Sequence, residues 1–253
     1  MLSGDERPEP MEPLGSVEPL REAAQESTDA GSGPGPLRLV AVSAGVGVPS
    51  STRLLADRLV QATVTASAGS VRPVEVRTIE LRDLATDIAH NLVTGFPSPA
   101  LAEVLGAVAR ADGLIAVTPI FTGSYSGLFK SFFDVMDKSA LIGKPVLIAA
   151  TGGTPRHSLA LEHALRPLFA YLRAVVAPTA VYAAAQDWGA EGDPHHDDLS
   201  ARITRAGREL LGFMLCRAPD QARSVTGAGD EDELGEVVPF AQQLAALNQS
   251  PLG

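Results

Sequence analysis

The densest apolar pattern in the chain runs through residues 112–137, DGLIAVTPIFTGSYSGLFKSFFDVMD. Leu114, Ile115, Ala116 and Val117 form a short continuous apolar run, as expected of a strand buried on both faces. Thr118-Pro119 follows, and because proline cannot donate to a ladder the chain is expected to leave the sheet there. Thr122, Gly123 and Ser124 read as a small-residue loop. From Ser126 onward Leu128, Phe129, Phe132, Phe133 and Met136 recur at helical spacing, and this stripe reads as core.

The same succession repeats on both sides. Residues 37–43 (LRLVAVS) predict a buried strand, and a helix follows from about residue 51 with Leu54, Leu55, Leu59 and Val60 on one face. Residues 74–81 alternate as a second strand; residues 82–94 read as a short helix or irregular, and 99–111 as an amphipathic helix. Residues 144–151 predict a strand, and 158–173 one long helix with Leu161, Leu165, Leu168, Phe169 and Leu172 inward. The last strand spans 175–184, Pro178 marking an edge or bulge, and 199–217 form the final core helix. Five alternations of strand and helix call for a parallel sheet with helices on both faces and right-handed crossovers. The fold class is α/β. A single domain over 37–217 fits a flavodoxin-like, doubly wound, five-stranded parallel sheet better than a dinucleotide-binding Rossmann layer.

Charge belongs outside that domain. The formal net charge is −10, of which residues 1–36 carry −6 and residues 218–253 carry −5, leaving the domain at +1. The acidity therefore says nothing about a ligand, and no basic excess exists to displace counterions from nucleic acid. Residues 1–36, rich in Pro, Gly, Glu and Ser, bury too little apolar surface to offset their ordering entropy and read as a disordered tail. Residues 218–253 read as an acidic C-terminal tail with one short apolar patch at 237–247. The single cysteine, Cys216, excludes an internal disulfide and a cysteine metal cluster, and reads as a small buried hydrophobe. No apolar run approaches the roughly 20 residues that span a bilayer. The N-terminus has acids and prolines where a signal peptide has bases and a hydrophobic run, so a cytoplasmic protein without membrane or nucleic-acid partners is expected.

In an open parallel sheet, ligands sit outside the carboxyl ends of the strands. Three small-residue loops fall there. In the first, Gly45-Val46-Gly47 starts a G-x-G, but Ser50 holds the third glycine position and no acid ends the second strand about 20 residues on, which argues against dinucleotide binding. The phosphate-loop signature G-x-x-x-x-G-K-[ST] is absent. What remains is Ser43 at the strand end and Ser50, Ser51 and Thr52 opening a helix. They form either an anion site over unpaired helix N–H groups or an ordinary serine cap. The second loop is that of residues 122–124. The third, Thr151-Gly152-Gly153-Thr154, ends a buried strand, and its glycines allow close approach of a ligand, unusual dihedrals or a plain tight turn. One phosphate pocket and two loops rich in main-chain donors suit a flavin mononucleotide.

These residues resemble the NAD(P)H-dependent FMN reductase family, within the flavodoxin-like superfamily. They are most similar to the reductases that supply reduced flavin to two-component monooxygenases such as the alkanesulfonate systems. The resemblance is carried by Ser43 and Pro49-Ser50-Ser51-Thr52, by Thr118-Pro119 with Tyr125-Ser126-Gly127 and Lys130, and by Gly143-Lys144 with Thr151-Gly152-Gly153-Thr154 and His157. It extends over roughly residues 38–217. It implies that Ser43, Ser50, Ser51 and Thr52 hold the FMN phosphate. Pro119, Ile120, Phe121, Thr122, Gly123 and Ser124 would line the isoalloxazine, and Thr151, Gly152 and Gly153 would reach its pyrimidine edge. It implies hydride transfer from the C4 of NADPH or NADH to flavin N5, with no acid–base residue. A monooxygenase partner and a homodimer or homotetramer belong to the same expectation.

The chain departs from the family pattern in two places. The usual Gly-Ser-x-Arg start reads Val42-Ser43-Ala44-Gly45, so its phosphate-facing arginine is missing, and Arg53 is the candidate substitute. The usual aromatic tyrosine of the second loop is Phe121. Whether flavin is an exchangeable substrate or a fixed cofactor stays open, as do a quinone, azo-dye or metal-ion reductase with bound FMN and a flavodoxin-type electron carrier. Arg156 and His157 stand where the 2′-phosphate of NADPH would reach, or face solvent. Trp188 covers the flavin, closes a subunit interface or is an ordinary anchor. The run His195-His196-Asp197-Asp198 reads as surface charge and not a metal cluster. Tyr125 falls where such reductases place a helix irregularity at an oligomer interface, with a π-bulge the form to look for.

Overall fold

The computed structural model describes residues 35–70, 72–188 and 199–217. Its sheet is built from β1 (Leu37–Ser43), β2 (Val74–Glu80), β3 (Gly113–Phe121) and β5 (Pro145–Gly152), with β6 (Val175–Val176) and β7 (Val181–Ala184) both pairing β5. The order is β2-β1-β3-β5-β6, parallel throughout, so five strand positions are filled. The fifth is the predicted 175–184 strand broken in two around Pro178, which cannot donate to a ladder.

Alternate strand residues face opposite layers. Leu39, Ala41, Ile115, Val117, Leu147 and Ala149 meet α1 (Ser51–Ala66) and α6 (Leu199–Cys216) through Leu55, Leu59, Ile203, Leu210 and Met214. Val40, Val42, Leu114, Ala116, Val146 and Ile148 meet the other layer, formed by α2 (Ala85–Thr94), α3 (Pro99–Arg110), α4 (Gly127–Asp134) and α5 (Arg166–Tyr171). The aromatic stripe is core. Phe129, Phe132, Phe133 and Phe169 pack edge-on, with centroid separations from 4.9 to 6.2 Å.

Several expectations change. Pro119 stays in β3, paired in register with Thr151. The Val117 carbonyl accepts from Ala44 N–H, so by alternation Pro119 turns its missing donor toward β1, which has already ended at Ser43. The loop at 122–124 is the tip of a hairpin, because β3 turns back into β4 (Ser124–Tyr125) with Phe121 opposite Ser124. The expected helix at 158–173 is interrupted. A 3₁₀ turn (Pro155–His157) and a π-helical stretch (Leu161–Leu165) precede α5. Pro167 has no N–H to continue an α-helical ladder, and the i→i+5 bond from Arg166 N–H to the Leu161 carbonyl takes up the extra residue. That π-turn is not the irregularity expected near Tyr125, which lies in β4 just before a regular α4. Leu54 is exposed, leaving Leu55 and Leu59 to bury α1. Cys216 is exposed too, since Leu211 and Met214 take the inward positions of α6. The tails (1–34 and 218–253) and the run His195–Asp198 lie outside the described residues. Among those described, no single helix is long and apolar enough to cross a membrane.

Candidate functional site

The first loop is built around one helix end. Ser50 is the N-cap of α1 in an extended conformation, its Oγ accepting from Arg53 N–H at 3.1 Å, while Leu54 N–H bonds the Ser50 carbonyl at 3.0 Å. The N–H groups of Ser51 and Thr52 are left without an intrahelical partner, and the Ser51 side chain is exposed. Thr52 is buried, and its hydroxyl meets that of Thr151 at 2.8 Å, which ties the first loop to the third. Ser43, at the end of β1, is 1% exposed and its Oγ has no hydrogen-bond partner.

Arg53 is engaged elsewhere. Its Nε lies 2.8 Å from Asp57 and its Nη1 2.7 Å from Glu80, and the hydrogen bond to Asp57, with support from Glu80, raises its pKa against the opposing effect of burial. Glu80 also receives Arg82 Nη2 at 3.0 Å, and Arg82 Nη1 donates to the Gly47 carbonyl at 3.1 Å. Arg82 thus braces the first loop from the end of β2, a role with no signal in the sequence pattern.

The second loop is the hairpin tip. Thr122 and Gly123 both have positive φ (52° and 83°), the signature of a type I′ turn, which glycine adopts freely and β-branched threonine does not. The buried Thr118 hydroxyl accepts from Ser126 N–H at 3.0 Å, and Ser126 Oγ caps α4 by accepting from Phe129 N–H. In the third loop neither glycine has positive φ. Gly152 is instead a place of close approach: a Cβ there would stand 2.0 Å from the Tyr182 hydroxyl, which donates to the Thr154 carbonyl at 2.7 Å. Burial and Asp187 raise the Tyr182 pKa.

A cavity of about 350 Å³ gathers the first and third loops and the carboxyl end of β3. The first loop supplies Ser51, the end of β3 Pro119, Ile120 and Phe121, the third loop Thr151, Gly152 and Gly153, and Ala185 and Trp188 complete the lining. Ser43, Ser50, Thr52 and Arg53 do not line it, and neither do Thr122, Gly123 and Ser124 at the hairpin tip. Trp188 is held in place from two helices. The Arg58 guanidinium of α1 stands 5.1 Å from its ring centroid, and the preceding Asp187 accepts from Ala184 N–H and lies 3.8 Å from Arg202 of α6. Ala185, a small residue, gave no sequence signal. Arg156 and His157 are exposed beside the third loop. Lys144, which shares the family pattern with Gly143, lies at the other end of β5. Its buried Nζ donates to the carbonyls of Ala109 and Ala111 and so caps α3. A larger cavity, of about 680 Å³, lies between α1 and α6, on a helical face away from the strand ends.

The family model described as NADPH-dependent FMN reductase matches residues 37–189. The chain belongs to this family. It is an oxidoreductase of the NAD(P)H-dependent FMN reductases, a family that uses FMN with NADPH or NADH as electron donor. Its relatives include an FMN reductase (NADPH) of Pseudomonas aeruginosa, 42% identical over 60% of this chain and 80% of that protein. An NADH-dependent FMN reductase, SfnF, of Pseudomonas fluorescens is 42% identical over 68% of this chain and 88% of that one. Among solved structures, an oxidoreductase from Corynebacterium diphtheriae superposes with a TM-score of 0.69 at 43% identity, over 72% of this chain and 99% of the other. An NADH:FMN oxidoreductase in its apo form gives a TM-score of 0.60 at 29% identity, over 72% and 91%.

Proposed function

We propose that this reductase binds FMN in the cavity at the carboxyl edge of the sheet and releases it, once reduced, to a flavin-dependent monooxygenase in the cytoplasm. The observation that carries the site is the meeting of the start of α1, the end of β3 and the 151–153 loop on one cavity whose volume, about 350 Å³, is in the range of small-molecule sites. The residues fit the group. An exposed hydroxyl and two open N–H groups at the start of a 16-residue helix favour a phosphate, while Pro119, Ile120 and Phe121 offer apolar surface to a ring. The unpartnered Ser43 hydroxyl and the Thr52–Thr151 pair form the backing of that phosphate subsite.

When bound, FMN supplies the hydride acceptor for a nicotinamide. The chain's own part is to bind and orient. Ser51 and the first turn of α1 hold the phosphate, the backbone of residues 151–153 faces the ring's polar edge, and Phe121 and Trp188 border the remaining face. Arg156 and His157 stand at the rim, where a 2′-phosphate would be read. The exposed Leu92, Val93 and Phe96 at the end of α2 support a homodimer or homotetramer.

Steady-state oxidation of NADPH and of NADH, each with and without added FMN, tests the reading. Consumption that depends on added FMN, with flavin lost on gel filtration, is expected. Co-elution of yellow protein would indicate a reductase with bound flavin, and an unconsumed nicotinamide would indicate an electron carrier.

A further inference from the structure

The cavity between α1 and α6 takes no part in that site. Ala62, Ala66 and Ile203 line it together with Gln61, Thr65, Ser200 and Thr204, and Arg58 and Arg208 complete the lining. Neither arginine has a carboxylate partner among the described residues. Arg58 faces the Trp188 ring, and Arg208 reaches only the Thr204 carbonyl of its own helix, at 3.4 Å. A groove of mixed lining, with an apolar strip of Ala62, Ala66 and Ile203 beside two arginines, fits an amphipathic segment flanked by acids.

The chain itself carries one. Beyond α6 come Asp230, Glu231, Asp232, Glu233 and Glu236, followed by the uncharged stretch VVPFAQQLAAL at 237–247. Val237, Phe240, Leu244 and Leu247 recur at helical spacing on one face. We propose that residues 237–247 dock in cis in the groove between α1 and α6, with the preceding acids at Arg58 and Arg208.

The reach is right. The groove is lined by Ser200, Ile203, Thr204 and Arg208, in the first half of α6, so the segment must return about 12–24 Å along the helix from Cys216. The linker of residues 217–236, rich in Gly and acids, spans about 22–27 Å root-mean-square as a flexible coil. Docking therefore needs neither a stretched linker nor a second copy. The C-terminal tail becomes an intramolecular strap over the layer that carries Arg58, the residue that also holds Trp188 against the flavin-site cavity.

Cysteine trapping in the full-length chain tests this. With Cys216→Ser removing the native thiol, Leu244→Cys is combined with Thr65→Cys or with Thr204→Cys, one on each wall of the groove. As a control it is combined with Glu103→Cys on α3 across the sheet. Mild oxidation followed by mass mapping is expected to give an intramolecular disulfide with a groove cysteine and several-fold less with position 103. No groove disulfide, equal bonding to position 103, or a bond between two chains at the groove would overturn the proposal. The double variant Phe240→Asp/Leu244→Asp, on the native background, supplies an independent reading. Hydrogen exchange across residues 58–66 and 200–208 should accelerate several-fold, and unchanged exchange there would also overturn it.

Discussion

The hydroxyls of Thr52 and Thr151 meet 2.8 Å apart in the interior, joining the start of α1 to the end of β5. One residue belongs to the loop proposed for the phosphate and the other to the loop proposed for the ring edge, so this contact sets the spacing between the two. Thr52→Val or Thr151→Val alone leaves a buried hydroxyl unpaired and is expected to cost about 1–3 kcal/mol. The double variant should recover part of that loss. Urea unfolding of all four proteins, read as a double-mutant cycle, measures the coupling, and strictly additive losses would contradict it.

Ser51→Asp places a carboxylate where the FMN phosphate is proposed to sit. An acid in the first turn of a helix stabilises the helix, so the melting temperature should hold or rise while FMN affinity falls by at least about tenfold. Fluorescence titration of FMN reads the affinity. A normal dissociation constant would remove Ser51 from the site.

The hairpin tip stores strain that a substitution can release. Thr122 sits at φ 52°, and the type I′ turn it shares with Gly123 prefers Asn-Gly. Thr122→Asn is expected to stabilise the protein by about 1 kcal/mol, raising the melting temperature by about 2–4 °C. Gly123→Val should do the reverse and lower turnover as well. A calorimetric scan of both variants settles the sign.

Lys144 gives the pH dependence. Burial, helped by the nearby charge of Arg217 and opposed by Asp112, lowers its pKa to about 7. In the unfolded chain its pKa is about 10.4. Below pH 7 both states hold the proton and the contribution is constant. Between about pH 7 and pH 10 the unfolded chain holds more protons than the folded one, so the Lys144 contribution to stability rises with pH. Relative to Lys144→Met, the wild-type chain should gain up to about 5 kcal/mol across that window. A flat difference would contradict the lowered pKa.

Much of the fold is legible in the chain. The parallel core is, because residues 39–42, 114–117 and 146–150 are continuous apolar runs separated by helical periods, and a doubly covered sheet tolerates little else. The carboxyl-edge loops follow from their small residues. The features that do not show are those set by tertiary neighbours. Pro119 stays in the sheet only because β1 stops one residue too early to need its N–H. The break in the 158–173 helix is signalled by Pro167, whose effect is masked by a good apolar period on both sides. Asp57, four residues on, is a partner for Arg53 that helical spacing shows, but Glu80 is 27 residues away along the chain and only 2.7 Å away in space. Trp188 has three readings in the sequence, and only the fold brings Arg58 to its ring and Arg202 to the neighbouring Asp187.

The central claim is that one cavity, walled by the start of α1, the end of β3 and the 151–153 loop, takes the flavin. A crystal structure of the protein with FMN tests it most directly. The account predicts the phosphate against Ser51 and the first turn of α1, the ring between residues 119–121 and 151–153, and Trp188 at its border. Flavin density anywhere else, or an empty carboxyl edge at FMN concentrations that saturate turnover, would contradict it.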